Sequence, residues 1–211
     1  MHSAHEHSFD KYYWEQHWNR TPSRVRIPPP NPYLREETRN LTPGTALDAG
    51  CGAGAEAIWL AIQGWRVTAV DISGTALSGA SERAEAASVS DRLTWVETYF
   101  TTWGPEDRWD LVVTNYAHPA VPQLEFYEHI SKWVAPGGTL LIVGHLHDHT
   151  ATDSGHQSPH GATATPSGIT AVLDKPKWDV NTAQKHTRAL TSPGGHQIQL
   201  HDVVVRATRH S

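Results

Sequence analysis

The stretch LDAGCGAGAEA, residues 47–57, decides the fold. An apolar run, TALDAG, ends in a turn carrying Gly50, Gly52 and Gly54, and an alanine-rich run with helical periodicity follows at once. Glycine lets a backbone turn tightly and approach a ligand closely. The helix behind such a turn offers unpaired N–H groups at its amino end. A strand, a turn and a helix are therefore predicted in that order, with Ala57, Ile58, Ala61 and Ile62 on one helical face and Gly64 as the stop. RVTAVD is a second strand that closes on Asp71, 17 positions after Gly54. A carboxylate there can accept hydrogen bonds from ribose hydroxyls. A glycine trio alone is a weak sign, but paired with a distant acid in a strand–helix–strand frame it points to an adenosine cofactor.

Working outward, SGTALSGASERAEAAS is a second helix with Leu77, Ala80 and Ala84 in register, LTWVE a third strand and DLVVT a fourth. LEFYEHISKWV is a helix with Phe126, Ile130 and Trp133 or Val134 inward; it stops at APGG, and TLLIV is a fifth strand. Strands this apolar, alternating with helices, predict a parallel sheet covered on both faces. After a polar stretch beginning HLHDH and a short helix at SGITAVLD, two alternating runs flank SPGG as a hairpin. Its second run has Ile198 and Leu200 inward, then Val203 and Val205, and that change of parity predicts a β-bulge near His201–Asp202. The fold class is α/β, five parallel strands closed by an antiparallel hairpin. Residues 1–40 differ and read as an aromatic lid or apron of the same domain, with the main body over 41–211. There a helix N-capped by Ser8 sets Phe9 with Tyr13 and Trp14 with Trp18 at i, i+4 spacing. RIPPPNP breaks it, and Asn31–Pro32 open a second short helix through about Arg39.

Two cofactor classes fit the turn. A dinucleotide lays its pyrophosphate on the spacing G-x-G-x-x-G, whereas this turn is G-x-G-x-G with Asp48 two residues before the first glycine. A carboxylate there opposes a pyrophosphate and suits the cationic sulfonium and ammonium of S-adenosylmethionine. With VTAVDIS, WDLVVTNYA and WVAPGGTLLIVGH following in order, the chain from Leu41 to His145 resembles the class I S-adenosylmethionine-dependent methyltransferases. That resemblance implies a Rossmann-like seven-stranded, mostly parallel sheet and S-adenosylmethionine as cofactor. It places Asp48, Gly50, Gly52 and Gly54 in the methionine-binding turn with Cys51 inside it. It makes Asp71 the ribose acid, sets Ile72 beside the adenine, and puts Asn115 next to the methyl group. The family's adenine-binding acid after the third strand aligns with Tyr99, leaving Glu97, Thr98 or a backbone group in its place.

The remaining residues bear on the acceptor. Ligands of open α/β sheets lie beyond the carboxyl ends of the strands, where His118 follows the fourth strand and His145, His147 and His149 the fifth. A neutral imidazole can take a proton from an acceptor near pH 7, so His118 and then His145 are the candidate catalytic bases. Tyr13, Trp14 and Trp18 are expected to close over the cofactor, excluding water and facing the sulfonium. Trp59, Trp65, Trp95, Trp133 and Trp178 read as core. With 17 basic and 22 acidic side chains the formal charge is −5, which argues against a nucleic-acid partner. No apolar run or leader suggests a membrane partner or secretion, and the lone Cys51 fits a reducing cytoplasm. The chain lacks the N-P-P-Y of nucleic-acid amino methyltransferases and the cysteines of arsenic-type enzymes. Its layout is similar to tellurite-resistance and thiopurine-type methyltransferases, which implies a small-molecule acceptor methylated on O, S or N. Two other readings stand beside it, a nicotinamide-dependent oxidoreductase and a non-catalytic histidine-rich metal-binding protein on a methyltransferase fold. For the latter, HLHDH is one residue short of the H-x-H-x-D-H metal signature, so no metal ligands are assigned.

Overall fold

A computed structural model describes residues 9–20, 29–146, 163–191 and 197–211. Its sheet runs β3 (Leu93–Glu97), β2 (Arg66–Asp71), β1 (Thr45–Ala49), β4 (Trp109–Asn115), β5 (Val134–Leu146), β8 (Gln197–Arg209), β7 (Trp178–Thr191). The first five lie parallel, β8 is antiparallel to β5 and to β7, and the two-residue β6 (Thr163–Ala164) pairs parallel with the end of β5. The order reverses between β1 and β4, the switch point at which α/β sheets bind ligands.

The central strands are buried on both faces, as continuous apolar runs require. Trp109 and Val112 of β4 pack with α5 (Gln123–Ser131) and α6 (Pro166–Val172) through Phe126, Ile130 and Ile169. Leu111 and Val113 face the other way, toward Leu34 of α2 (Pro32–Thr38), Leu60 of α3 (Ala55–Ile62) and Leu77 of α4 (Gly74–Ala86). Trp65, Trp133 and Trp178 are buried, while Trp59 and Trp95 are half-buried against the same core. Ile62 departs from the expected face. It is 53% exposed, and Leu60 takes the inward place because the helix ends there and Gln63 already caps it.

The expected bulge at His201–Asp202 is also absent. Pairing of β8 with β7 is continuous through both residues, and the slip sits in β7, between Val180 and Thr182. The sequence pattern misled because Asp202 reads as a solvent residue. It is fully buried, on the same strand face as Val204, while Val203 and Val205 fill the opposite face. Parity never switches; both faces are covered.

Two pieces precede the sheet. α1 (Lys11–Arg20) opens with Asp10 accepting from the Tyr13 N–H at 2.9 Å; the Ser8 cap lies outside the described residues. α2 starts as expected, its Asn31 side chain capping the Tyr33 N–H at 3.0 Å and Pro32 in the first turn. No helix among the described residues is long and apolar enough to cross a membrane. The burial contrast along two helices yields a direct check. Ile130→Ala, at a site with 0% exposure, should cost about 2–5 kcal/mol in urea unfolding, while Ile62→Ala should stay within about 0.5 kcal/mol.

Candidate active site

Beyond the carboxyl ends of β1, β2 and β4 lies a cavity of about 430 Å³, a size typical of small-molecule sites. The glycine turn forms its floor. Gly50 has φ 81°, and a Cβ there would stand 2.4 Å from that of Ala117. Gly52 has φ 47°, and its Cβ would meet the Trp18 indole at 2.8 Å. Both positions therefore need glycine twice over, for conformation and for close approach. Gly54 is the left-handed N-cap of α3, one step outside the cavity wall.

Asp71 holds this floor in place. One carboxylate oxygen accepts the Gly52 N–H at 2.8 Å and the other the Ser73 N–H at 2.9 Å, so a single side chain ties the turn to the start of α4. A carboxylate offers about four acceptor positions, and Asp71 lines the cavity with acceptor capacity to spare for a ribose. Asp48 sits directly behind the floor, 1% exposed, with Oδ2 unpaired. Glu56, which the sequence reading did not single out, lines the cavity from α3 and accepts the Asn31 N–H at 3.0 Å. Burial pushes all three carboxyls above their usual range, and in Asp48 the nearby charges of Glu56 and Asp71 push further the same way. A cluster of buried carboxyls on one wall is a cradle for a cation, whose charge favours their ionised forms, and does not suit a diphosphate. The residues present therefore fit S-adenosylmethionine, whose sulfonium and ammonium are both positive.

Ile72, Cys51 and Tyr99 also line the cavity, Tyr99 being 47% exposed at its mouth. Glu97 and Thr98 do not. Glu97 is engaged by Lys11 and faces Gly74 at the start of α4, and the Thr98 N–H donates to the Asp71 carbonyl at 3.1 Å. Cys51 is buried, and burial pushes its thiol up, away from nucleophilic character.

The roof is α1. Trp14 and Trp18 line the cavity, and Tyr13 packs edge-on against Phe9 and Trp14 without reaching it. Glu15 accepts the Gly74 N–H at 2.8 Å, which fixes the helix to α4, and the Trp14 indole donates to the His118 carbonyl at 3.3 Å. On the far wall stand Asn115, with both amide atoms buried and unpaired, and His118, whose Nδ1 is likewise unpaired. The His118 ring stacks on His145 at 5.3 Å, and His145 on Tyr116 at 4.8 Å, so His145 backs the wall without lining it. Burial, and secondarily His145, lowers the His118 pKa to about 4; burial lowers that of His145 despite the pull of Asp202.

A polar cluster from the hairpin completes this wall and escaped the sequence reading. Arg188 donates from Nε to the buried Asp202 at 2.6 Å and from Nη2 to the Tyr116 hydroxyl at 2.9 Å. Tyr33 of α2 donates to the same carboxylate at 3.2 Å, and burial together with Asp202 pushes its phenol up to about 12. Tyr116 itself has φ 52°, an uncommon backbone conformation for a bulky residue. Among the described residues there is no group of three metal-ligating side chains. The histidines at 147, 149, 156 and 160 and those before residue 9 lie outside the described residues.

Residues 46–138 match the family described as a methyltransferase domain. Ribosomal RNA small subunit methyltransferase C of Alcanivorax borkumensis is 37% identical over 116 residues, covering 51% of this chain and 34% of that protein. Probable thiol methyltransferase 2 of Arabidopsis thaliana is 27% identical over 137 residues, covering 62% of this chain and 60% of that protein. The chain thus spans between 34% and 60% of the length of these two relatives. In fold it is similar to the N-methyltransferase NodS of Bradyrhizobium japonicum, solved with S-adenosyl-L-homocysteine, with a TM-score of 0.68 at 19% identity over 96% of this chain and 100% of that one. Over residues 46–138 the chain is thus similar to methyltransferase domains, and family match, thiol methyltransferase relative and fold together support a class I S-adenosylmethionine-dependent methyltransferase.

Proposed function

We propose that this chain methylates an O, S or N atom of a small metabolite or xenobiotic in a reducing, cytoplasmic setting. The observation that carries the reading is one roofed cavity with an acidic wall for the cofactor and a neutral imidazole and amide opposite. A volume of about 430 Å³ is in the range of small-molecule sites. The formal charge of −5 also disfavours a nucleic-acid acceptor, although one relative acts on ribosomal RNA by name.

In this reading Asp71 binds the ribose, Gly50 and Gly52 let the backbone approach the amino-acid tail, and Asp48 and Glu56 supply its charge complement. Ile72 and Tyr99 flank the adenine, and Asn115 orients the methyl-bearing end. When bound, S-adenosylmethionine supplies an electrophilic methyl group on sulfur. In-line displacement draws much of its acceleration from holding the acceptor behind that methyl. Trp14 and Trp18 keep water out. His118 is the base that receives the acceptor's proton. A base of pKa about 4 does not ionise a thiol of ordinary pKa ~8.5 beforehand, since a gap of about 4.5 units costs about 6 kcal/mol. The acceptor therefore enters already ionised, or gives up its proton as methylation makes it strongly acidic.

The direct test incubates the protein with S-adenosylmethionine and a panel of thiols, phenols and amines, reading S-adenosylhomocysteine by mass spectrometry. Product with at least one acceptor is expected; tight cofactor binding without turnover on the whole panel rejects the proposal. Asp71→Asn should weaken S-adenosylhomocysteine binding about tenfold or more by calorimetry, and NADH should not stabilise the wild type in a thermal shift. The His118 ring resonances should titrate by NMR with a midpoint near about 4, and for acceptors that depend on this base kcat/KM should hold steady down to about pH 5. A midpoint near 6.5 would remove the basis for the proton route.

A further inference from the structure

The cavity lining carries both signs of charge. Glu56 and Asp71 line it beside the glycine turn, and Arg188 is the single lysine or arginine among the lining residues described. Its fork is fixed before any ligand arrives, by Asp202 at Nε and Tyr116 at Nη2. Among the described residues Nη1 has no hydrogen-bond partner. The ion pair is neutral in sum, yet its halves are not equally placed. The arginine side chain is 29% exposed, while the carboxylate behind it is fully buried. A ligand in the cavity therefore meets N–H donors at short range, in the planar geometry that matches a carboxylate. Ring surface also lines the cavity. His118 lies nearly parallel to Trp14, at 14° and 6.4 Å, and Phe9 leans on His118 at 5.6 Å.

We propose that the methyl acceptor is a planar aromatic compound bearing a carboxylate, its ring against Phe9, Trp14 and His118 and its carboxylate held by Arg188. The proposal rests on the methyl-transfer reading above and names the substrate class of that same site. The carboxylate is the handle and not the nucleophile, because a guanidinium clamped on the reacting atom would hold its electron pair back. A ring-borne O, S or N attacks the methyl carbon. The sulfur–methyl bond breaks with its electron pair going to sulfur, leaving a neutral thioether, and any proton on the nucleophile passes to His118.

The test uses the full chain and two probes, benzoate and its neutral isostere benzamide, titrated by calorimetry into protein saturated with S-adenosylhomocysteine. The wild type should bind benzoate about tenfold more tightly than benzamide. Arg188→Gln alone leaves a buried carboxylate uncompensated and risks unfolding, so the deciding variant is the double exchange Arg188→Gln with Asp202→Asn. It should keep its affinity for S-adenosylhomocysteine and lose the preference for benzoate to within about twofold. Arg188→Lys, which keeps the charge without the fork, should retain part of it. The proposal is overturned if the wild type shows no preference, if it binds neither probe, or if the folded double variant still prefers benzoate. Failure of the wild type to bind S-adenosylhomocysteine, seen in the first titration, would instead remove the cofactor reading and this proposal with it.

Discussion

The structure depends on one carboxylate holding two backbone N–H groups. Asp71 joins the middle of the glycine turn to the first residues of α4, so three consecutive elements of the sheet's switch point share one anchor. Without it Gly52, in a left-handed conformation, would have no fixed partner for its N–H. Because the anchor is nearly buried and Asp48 and Glu56 stand close by, burial raises all three carboxyls toward their protonated forms, so holding them ionised is costly without a cation. Burial of unbalanced charge costs stability. A cationic ligand recovers that cost on binding, which couples cofactor affinity to the same geometry that shapes the loop.

Charge is handled differently on the opposite wall. There Arg188 and Asp202 are paired, and the phenols of Tyr33 and Tyr116 complete the cluster as neutral groups. Three parts of the chain that are far apart in sequence meet at this point, α2, the end of β4 and the hairpin. The cluster locks the apron to the sheet and sets the position of Tyr116, on which the His145 and His118 rings lean in turn. Packed rings with few rotatable bonds hold an acceptor's geometry at small entropic cost.

Much of this was legible in the sequence, for physical reasons that differ by element. The strand–turn–helix at Gly50–Gly54 and the acid at Asp71 are local, and local backbone demands leave their mark on nearby residues. The two-faced burial of β4 and β5 shows as uninterrupted apolar runs. What escaped depends on register across the hairpin. Asp202 looks like a surface residue until His145 is placed opposite it and Arg188 beside it. Glu56 looks like an exposed first-turn acid until the Asn31 backbone closes over it. Ile62 failed in the other sense, since helical periodicity does not reveal that the helix has one turn too few to bury it. Glu97, one of three alternatives for the adenine contact, is engaged by Lys11, a partner 86 positions earlier that local sequence does not reveal.

The roof helix α1 has a consequence for the traffic of ligands. It touches the floor of one compartment through Trp18 over Gly52 and the wall of the other through Trp14 beside His118. None of its residues is fully buried, and it is held by ring packing at Trp14 and Trp18 together with polar contacts from Glu15 and Lys11. A helix that covers both compartments at once ties access to one to access to the other.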